Sequence, residues 1–287
     1  MRTIYYNGAV YTGDLPLVQA FGEEDGRFFF AGSDEEAMAL KREGDRMVDL
    51  EGGFVCSGFN DSHMHLLSYG SSLRMAQLAD RTGSLSDMLN CLREFRDSRT
   101  FRENAWLQGR GWNQDYFADT DRMPNRHDLD KVSTDIPICA VRACGHCLVV
   151  NTKALTLLGI GANTPQPAGG RIGMEEGEPD GRFFDNAMDL IYEAIPAPDK
   201  EEVKEMMLAA CRSLNAYGVT SSQTDDYCAF HNVPWPLVNE AYRELEAEGR
   251  LTVRVYEQSN FTSLEALKAF VVAGNRTGTG SSLFKIG

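Results

Sequence analysis

The chain has 287 residues, 28 Lys+Arg against 42 Asp+Glu, a formal net charge of −14 and 43% hydrophobic residues. That length buries one large core or two smaller ones without a disulfide or metal staple. The acidic balance argues against nucleic acid and anionic membrane as partners, because both require basic patches. No stretch approaches about 18 consecutive apolar residues, so no transmembrane helix is expected. The N-terminus lacks the apolar region of a secretory signal, and 7 cysteines without such a signal do not read as a disulfide framework. The expectation is a soluble, cytoplasmic protein.

The first fifty residues read as short strands at 4–6, 9–11, 17–21 and 28–31, punctuated by turn residues. Asn7-Gly8 between the first two runs predicts a hairpin. Ser33 with Glu36 three residues on forms a capping box ahead of a helix to about residue 42. A strand over 47–50 and the Glu51-Gly52-Gly53 turn complete a small β-rich unit, residues 1–53. Residues 54–59 form an apolar run that reads as one buried strand, opening a second unit over 54–287. Helices follow over about 66–75 and 84–96.

Residues 106–186 are less regular, rich in Gly, Pro, Asp and Arg, with a strand predicted over 136–141 and a helix over 151–158. They mark an inserted subdomain over approximately 100–190. Regularity returns at Asp199, which caps a helix to about residue 217 whose apolar positions Val203, Met206, Met207, Ala210 and Leu214 share one face. The strand 219–222, helix 237–248, strand 251–256, helix 263–273 and strand 283–286 follow. Three successive helix–strand units predict a parallel sheet with helices outside it, either an α/β barrel or a doubly wound sheet.

Asp61-Ser62-His63-Met64-His65 is the sharpest local feature. It follows the predicted strand 54–59, the end at which α/β barrels place their active sites. Residues two apart in extended backbone face the same way, so His63 and His65 can converge on one cation, and neutral imidazole suits Zn²⁺ and similar ions. A bare His-x-His also occurs by chance in loops. His127 and His231 read as surface histidines in loops. Asp225 and Asp226, just past strand 219–222, lie on the same rim as the histidine pair, where a solvated-loop reading outweighs a catalytic one. Cys144-Gly145-His146-Cys147 has the spelling of a thiol–disulfide motif. Such a motif opens a helix, whereas the residues after Cys147 favour a strand, which argues against redox chemistry.

The run Val55-Cys56-Ser57-Gly58-Phe59-Asn60-Asp61-Ser62-His63-Met64-His65 resembles the first barrel strand of the amidohydrolase superfamily. The narrower resemblance is to the branch of YtcJ-like proteins and N-substituted formamide deformylases, which carries an insertion after that strand. It rests on Gly109-Arg110-Gly111-Trp112-Asn113-Gln114-Asp115, on Gly145-His146 leading to Asn151-Thr152-Lys153-Ala154-Leu155, on Gly169-Gly170-Arg171-Ile172-Gly173 followed by Gly177-Glu178-Pro179-Asp180-Gly181, and on Gly218-Val219-Thr220-Ser221-Ser222. Ser57 stands where the family usually has proline, and Asn60 where it usually has an aliphatic residue.

The resemblance implies an α/β, metal-dependent-hydrolase TIM-type barrel with a composite β-domain. It implies a divalent metal, most simply zinc, as one or two ions held in part by His63 and His65. It also implies hydrolysis of an amide-type, non-peptide C–N bond of a small molecule by a metal-activated water, with His146, Trp112 and Asp115 lining the substrate pocket. Trp112 beside its glycines also fits a core position, and His146 a structural one. Members of the family are close to twice this length. The chain therefore reads as an N-terminal portion stopped at strand four, with the catalytic aspartate beyond Gly287 and Lys285 too early on its strand to bridge metals. The alternative is a non-catalytic or partner-binding remnant of the same fold. An open sheet edge predicts aggregation, pairing with a second copy into a homo-oligomer, or a poorly ordered C-terminus.

Overall fold

The computed structural model describes all residues except 103, 231 and 262, so the expectation for His231 lies outside the described residues. The chain divides into two compact units, residues 1–60 and 61–287.

In the first unit, β1 (Arg2–Tyr6), β2 (Ala9–Val10), β3 (Ala20–Glu24), β4 (Arg27–Gly32), α1 (Asp34–Ala39), β5 (Arg46–Asp49) and β6 (Phe54–Val55) follow in order. A four-stranded sheet runs β4-β3-β1-β5, and β2 pairs with β6. Ile4, Ala20 and Ala37 form its buried centre. The Ser33–Glu36 capping box at α1 is present as expected.

The hairpin expected at Asn7-Gly8 does not form. Both edges of β1 are taken, by β3 antiparallel and β5 parallel. Asn7, at φ 57°, instead turns the chain toward the parallel partner of β2. The single strand expected over 54–59 is likewise divided. Phe54 and Val55 pair with Ala9 and Val10, and a new strand, β7 (Phe59–Met64), starts after Ser57-Gly58.

The second unit continues with α2 (Leu66–Ser72), β8 (Ala76–Gln77), α3 (Leu85–Asp97), β9 (Leu107–Trp112), α4 (Arg126–Asp130), β10 (Ile138–Arg142), β11 (Cys147–Val150), α5 (Thr152–Leu158), β12 (Gly170–Glu175), β13 (Glu178–Asp185) and α6 (Asp189–Tyr192). It ends with α7 (Lys200–Ala216), β14 (Val219–Thr224), α8 (Trp235–Ala247), β15 (Arg254–Glu257), α9 (Leu264–Val272) and β16 (Phe284–Ile286).

Two sheets organise these elements. One runs β16-β15-β14-β7, with β14, β15 and β16 parallel. Helices α7 and α8 pack on one of its faces through Val203, Met207, Ala210, Val238, Ala241 and Tyr242, against Val255, Phe284 and Ile286. Asp199 starts α7 with a capping box: its Oδ1 accepts the Glu202 N–H at 2.9 Å, and its own N–H donates to Glu202 Oε2 at 3.1 Å. Helix α2 crosses α7 so closely that a Cβ on Gly70 would lie 2.0 Å from the Met206 carbonyl oxygen. The alternation along β14–β16 that buries Phe284 and Ile286 turns Lys285 to the other face, where it is exposed.

The other sheet runs β12-β13-β11-β10-β9-β8. The stretch that reads as irregular thus supplies β9 to β13, all but β8 of a six-stranded mixed sheet with a separate core on each face. Leu78, Leu92, Leu107, Trp112 and Leu129 fill one core, and Trp106, Val141, Leu148, Phe183 and Ile191 the other. Strands buried on both faces carry no polar alternation to reveal them. Among the described residues, no helix is long and apolar enough to cross a membrane.

Candidate metal centre

His63 lies within β7, and His65 is the residue from which α2 starts. Strand alternation sets Asp61, His63 and His65 on the face opposite Met64, whose side chain packs against the α7–α8 core. The imidazole rings lie edge to face with centroids 5.3 Å apart, and Asp61 Oδ1 accepts the His63 backbone N–H at 3.1 Å. The pair was expected just past a strand over 54–59; His63 instead lies inside β7, and His65 directly after it.

The structure turns one of the rim carboxylates, expected in a solvated loop, into a partner of the pair. Asp225, just past β14, pairs its Oδ1 with His65 Nδ1, and Asn260 Nδ2 donates to its Oδ2 at 3.4 Å. A carboxylate on one ring nitrogen fixes the orientation of an imidazole and leaves the other nitrogen for a cation. Asp226, also expected in a solvated loop, is buried. It accepts from the Leu67 N–H at 2.9 Å, Thr224 Oγ1 at 2.7 Å and the Tyr242 hydroxyl at 2.5 Å, while Thr224 Oγ1 accepts the Leu66 N–H at 2.8 Å. The first turn of α2, and with it His65, is therefore tied to the end of β14. Its position just past a parallel strand placed Asp225 on this rim in the sequence; nothing local to it pointed to His65.

Below this rim, Glu257 ends β15 with both carboxyl oxygens buried and unpaired among the described residues. Burial, reinforced by the neighbouring Asp226 charge, holds the Glu257 carboxyl well above the ordinary range. Burial also raises Asp226, against its hydrogen bonds from Tyr242, Leu67 and Thr224.

The other candidates lie on the six-stranded sheet. Trp112 is fully buried in its core and donates its Nε1–H to the Ala140 carbonyl at 2.9 Å. Asp115 is exposed and pairs with Arg142 at 3.0 Å. His146 is exposed, 3.4 Å from Asp185. No hydrogen bond or ion pair among the described residues joins these three to His63 or His65. The Cys147 thiol is pushed up to about 12 by burial. Exposed Cys144 is shifted down: against its own desolvation, hydrogen bonds from Arg142 and the His146 N–H favour the thiolate. Cys147 lies in β11, as the strand-favouring residues after it predict. His127 is exposed as expected but belongs to α4 rather than a loop, where it faces Asp130 at 3.6 Å.

Chemically, two imidazoles on one strand end, one braced by a carboxylate, fit two positions of a divalent-cation site. Such a site needs three or four protein ligands, and among the described residues no group of three or more His, Cys, Asp or Glu is placed to hold a metal ion.

The sheet-and-helix unit ending in this histidine pair has the architecture of a metal-dependent hydrolase. A crystal structure of an uncharacterized metal-dependent hydrolase from Pyrococcus furiosus superposes with a TM-score of 0.73 at 25% identity, over 99% of this chain and 55% of that one. The profile of the Amidohydrolase family matches residues 46–287, and the chain belongs to that family. YtcJ of Bacillus subtilis (strain 168) is 33% identical over 89% of this chain and 48% of its own length. The N-substituted formamide deformylase of Arthrobacter pascens is 28% identical over 61% of this chain and 32% of its own. The chain thus spans about half, or less, of the length of these curated relatives.

Proposed function

We propose that this chain is the N-terminal portion of a metal-dependent hydrolase that cleaves amide-type, non-peptide C–N bonds of small molecules. The observation that carries this reading is the His63–His65 pair at the end of β7, with Asp225 of the next strand bracing His65. His63 and His65 would hold a divalent cation, most simply zinc, one of the ions suited to imidazole. When bound, that ion supplies Lewis acidity and lowers the pKa of a coordinated water. Asp225 keeps the His65 ring in one orientation, and the ties from Thr224 and Asp226 keep the α2 terminus from swinging the ring away. Asp115 and His146, both exposed on the second sheet, would meet the substrate, and Trp112 would support that wall from within its core. The remaining ligands and the proton-transferring aspartate would come from residues outside this chain. The 7 unpaired cysteines suit a reducing, cytoplasmic setting.

A second reading, a non-catalytic or partner-binding form of the same fold, is favoured by the lack of a third ligand beside the pair among the described residues. Titration with Zn²⁺ and Co²⁺, with metal content measured after purification without chelators, tests the first reading. Binding should weaken about tenfold or more in His63→Ala and in His65→Ala. Equal binding by wild type and both variants would overturn it. Metal bound by the histidine pair, with no hydrolysis across a panel of N-formyl and N-acetyl amines even with the complementary portion present, would select the second reading.

A further inference from the structure

Residues alternate in direction along β9. Leu107 and Gly109 turn toward the core shared with α3, while Trp106, Gln108 and Arg110 face the other side of the sheet, with Val141 of β10 next to Arg110 in register. That side borders an open cavity of about 650 Å³ that Met75, Tyr192, Met206 and Phe230 also line. The volume and the mixture of apolar walls with a few polar groups are those of a small-molecule site.

The charges in this cavity are unequal in their partners. Arg102 faces Asp199 at 3.5 Å and Glu202 at 3.3 Å. Arg110 has no ion pair and no side-chain hydrogen bond among the described residues, nor does the Gln108 carboxamide or the Tyr192 hydroxyl. Burial pushes the Tyr192 phenol up while the Arg110 charge works against that shift, so guanidinium and phenol lie within electrostatic reach. Arg110 is exposed at this cavity, and the two carboxylates that line it, Asp199 and Glu202, pair with Arg102 instead.

We propose that the cavity binds a small organic monocarboxylate. Its carboxylate sits on the Arg110 guanidinium with Tyr192 and Gln108 as further donors, and its apolar body lies against Trp106, Met206 and Phe230. Guanidinium is the group suited to a carboxylate because its paired N–H donors match the two oxygens. No residue named here belongs to the His63–His65 centre, so the proposal does not depend on the hydrolytic reading.

Calorimetric titration of the 287-residue chain with 4-phenylbutyrate, and with its neutral counterpart 4-phenylbutanamide, tests it. The acid should bind about tenfold or more tightly than the amide, because a hydrogen bond to a charged group is worth that much. Arg110→Gln should bring the acid down to the level of the amide. Arg110→Lys, which keeps the charge and serves if Arg110→Gln does not fold, should fall between wild type and Gln, and His63→Ala should change nothing. No binding of the acid up to about 10 mM, equal binding of acid and amide, or a Lys or Gln variant binding the acid like wild type would overturn the proposal.

Discussion

The Asp225 carboxylate is shared between His65 Nδ1 and Asn260 Nδ2, so it can be removed without opening the α7–α8 core. Loss of a carboxylate that orients a ligating histidine costs about 10–100-fold in metal affinity. Asp225→Ala should show a loss of that size in a Co²⁺ titration while the melting temperature hardly moves. Unchanged affinity would mean that Asp225 does not position His65. Glu257 gives the opposite case, a buried carboxyl whose effect falls on stability. With its value raised above the unfolded one of about 4.3, the folded chain keeps a proton that the unfolded chain releases. Its contribution is therefore complete below that unfolded value and is lost as pH rises through the raised folded one. Glu257→Gln removes this loss, so its urea midpoint relative to wild type should climb as pH rises from about 4.3. A pH-independent difference would show that Glu257 is ionised in the folded chain. The His63–His65 pair was legible in the sequence because strand spacing alone brings the two together. The rim position of Asp225 was legible too, but its bond to His65 was not, because it depends on β7 and β14 lying side by side and joins residues 160 positions apart.

At the level of elements, success and failure divide by where the deciding information lies. Helix α7 was legible to within a residue because its capping box and its apolar period are both local. Asn7-Gly8 carried an equally local signal, yet the hairpin lost to β3 and β5, strands far along the chain that saturate both edges of β1. Trp112 could be read either way from its glycine-rich surroundings, and the Ala140 carbonyl that takes its N–H belongs to a strand 28 residues on. The crossing of α2 on α7 gives a sharp test. Gly70 leaves no room for a side chain, since its Cβ would meet the Met206 backbone rather than a movable side chain. Gly70→Ala should cost about 1–3 kcal/mol, measured by urea unfolding. A stability equal to wild type would show that the two helices can separate without loss.

Across the whole molecule, the two units differ in how they would be seen by light. All 3 tryptophans, Trp106, Trp112 and Trp235, lie in residues 61–287, whereas residues 1–60 carry only tyrosines, at Tyr5, Tyr6 and Tyr11. Trp112 at 0% and Trp106 at 6% exposure have apolar surroundings, so native indole emission should be blue-shifted and should move to the red when the larger unit opens. The smaller unit would unfold unseen at that wavelength. An emission trace therefore times one unit, a circular dichroism trace both, and any lag between the two curves measures how independently residues 1–60 melt.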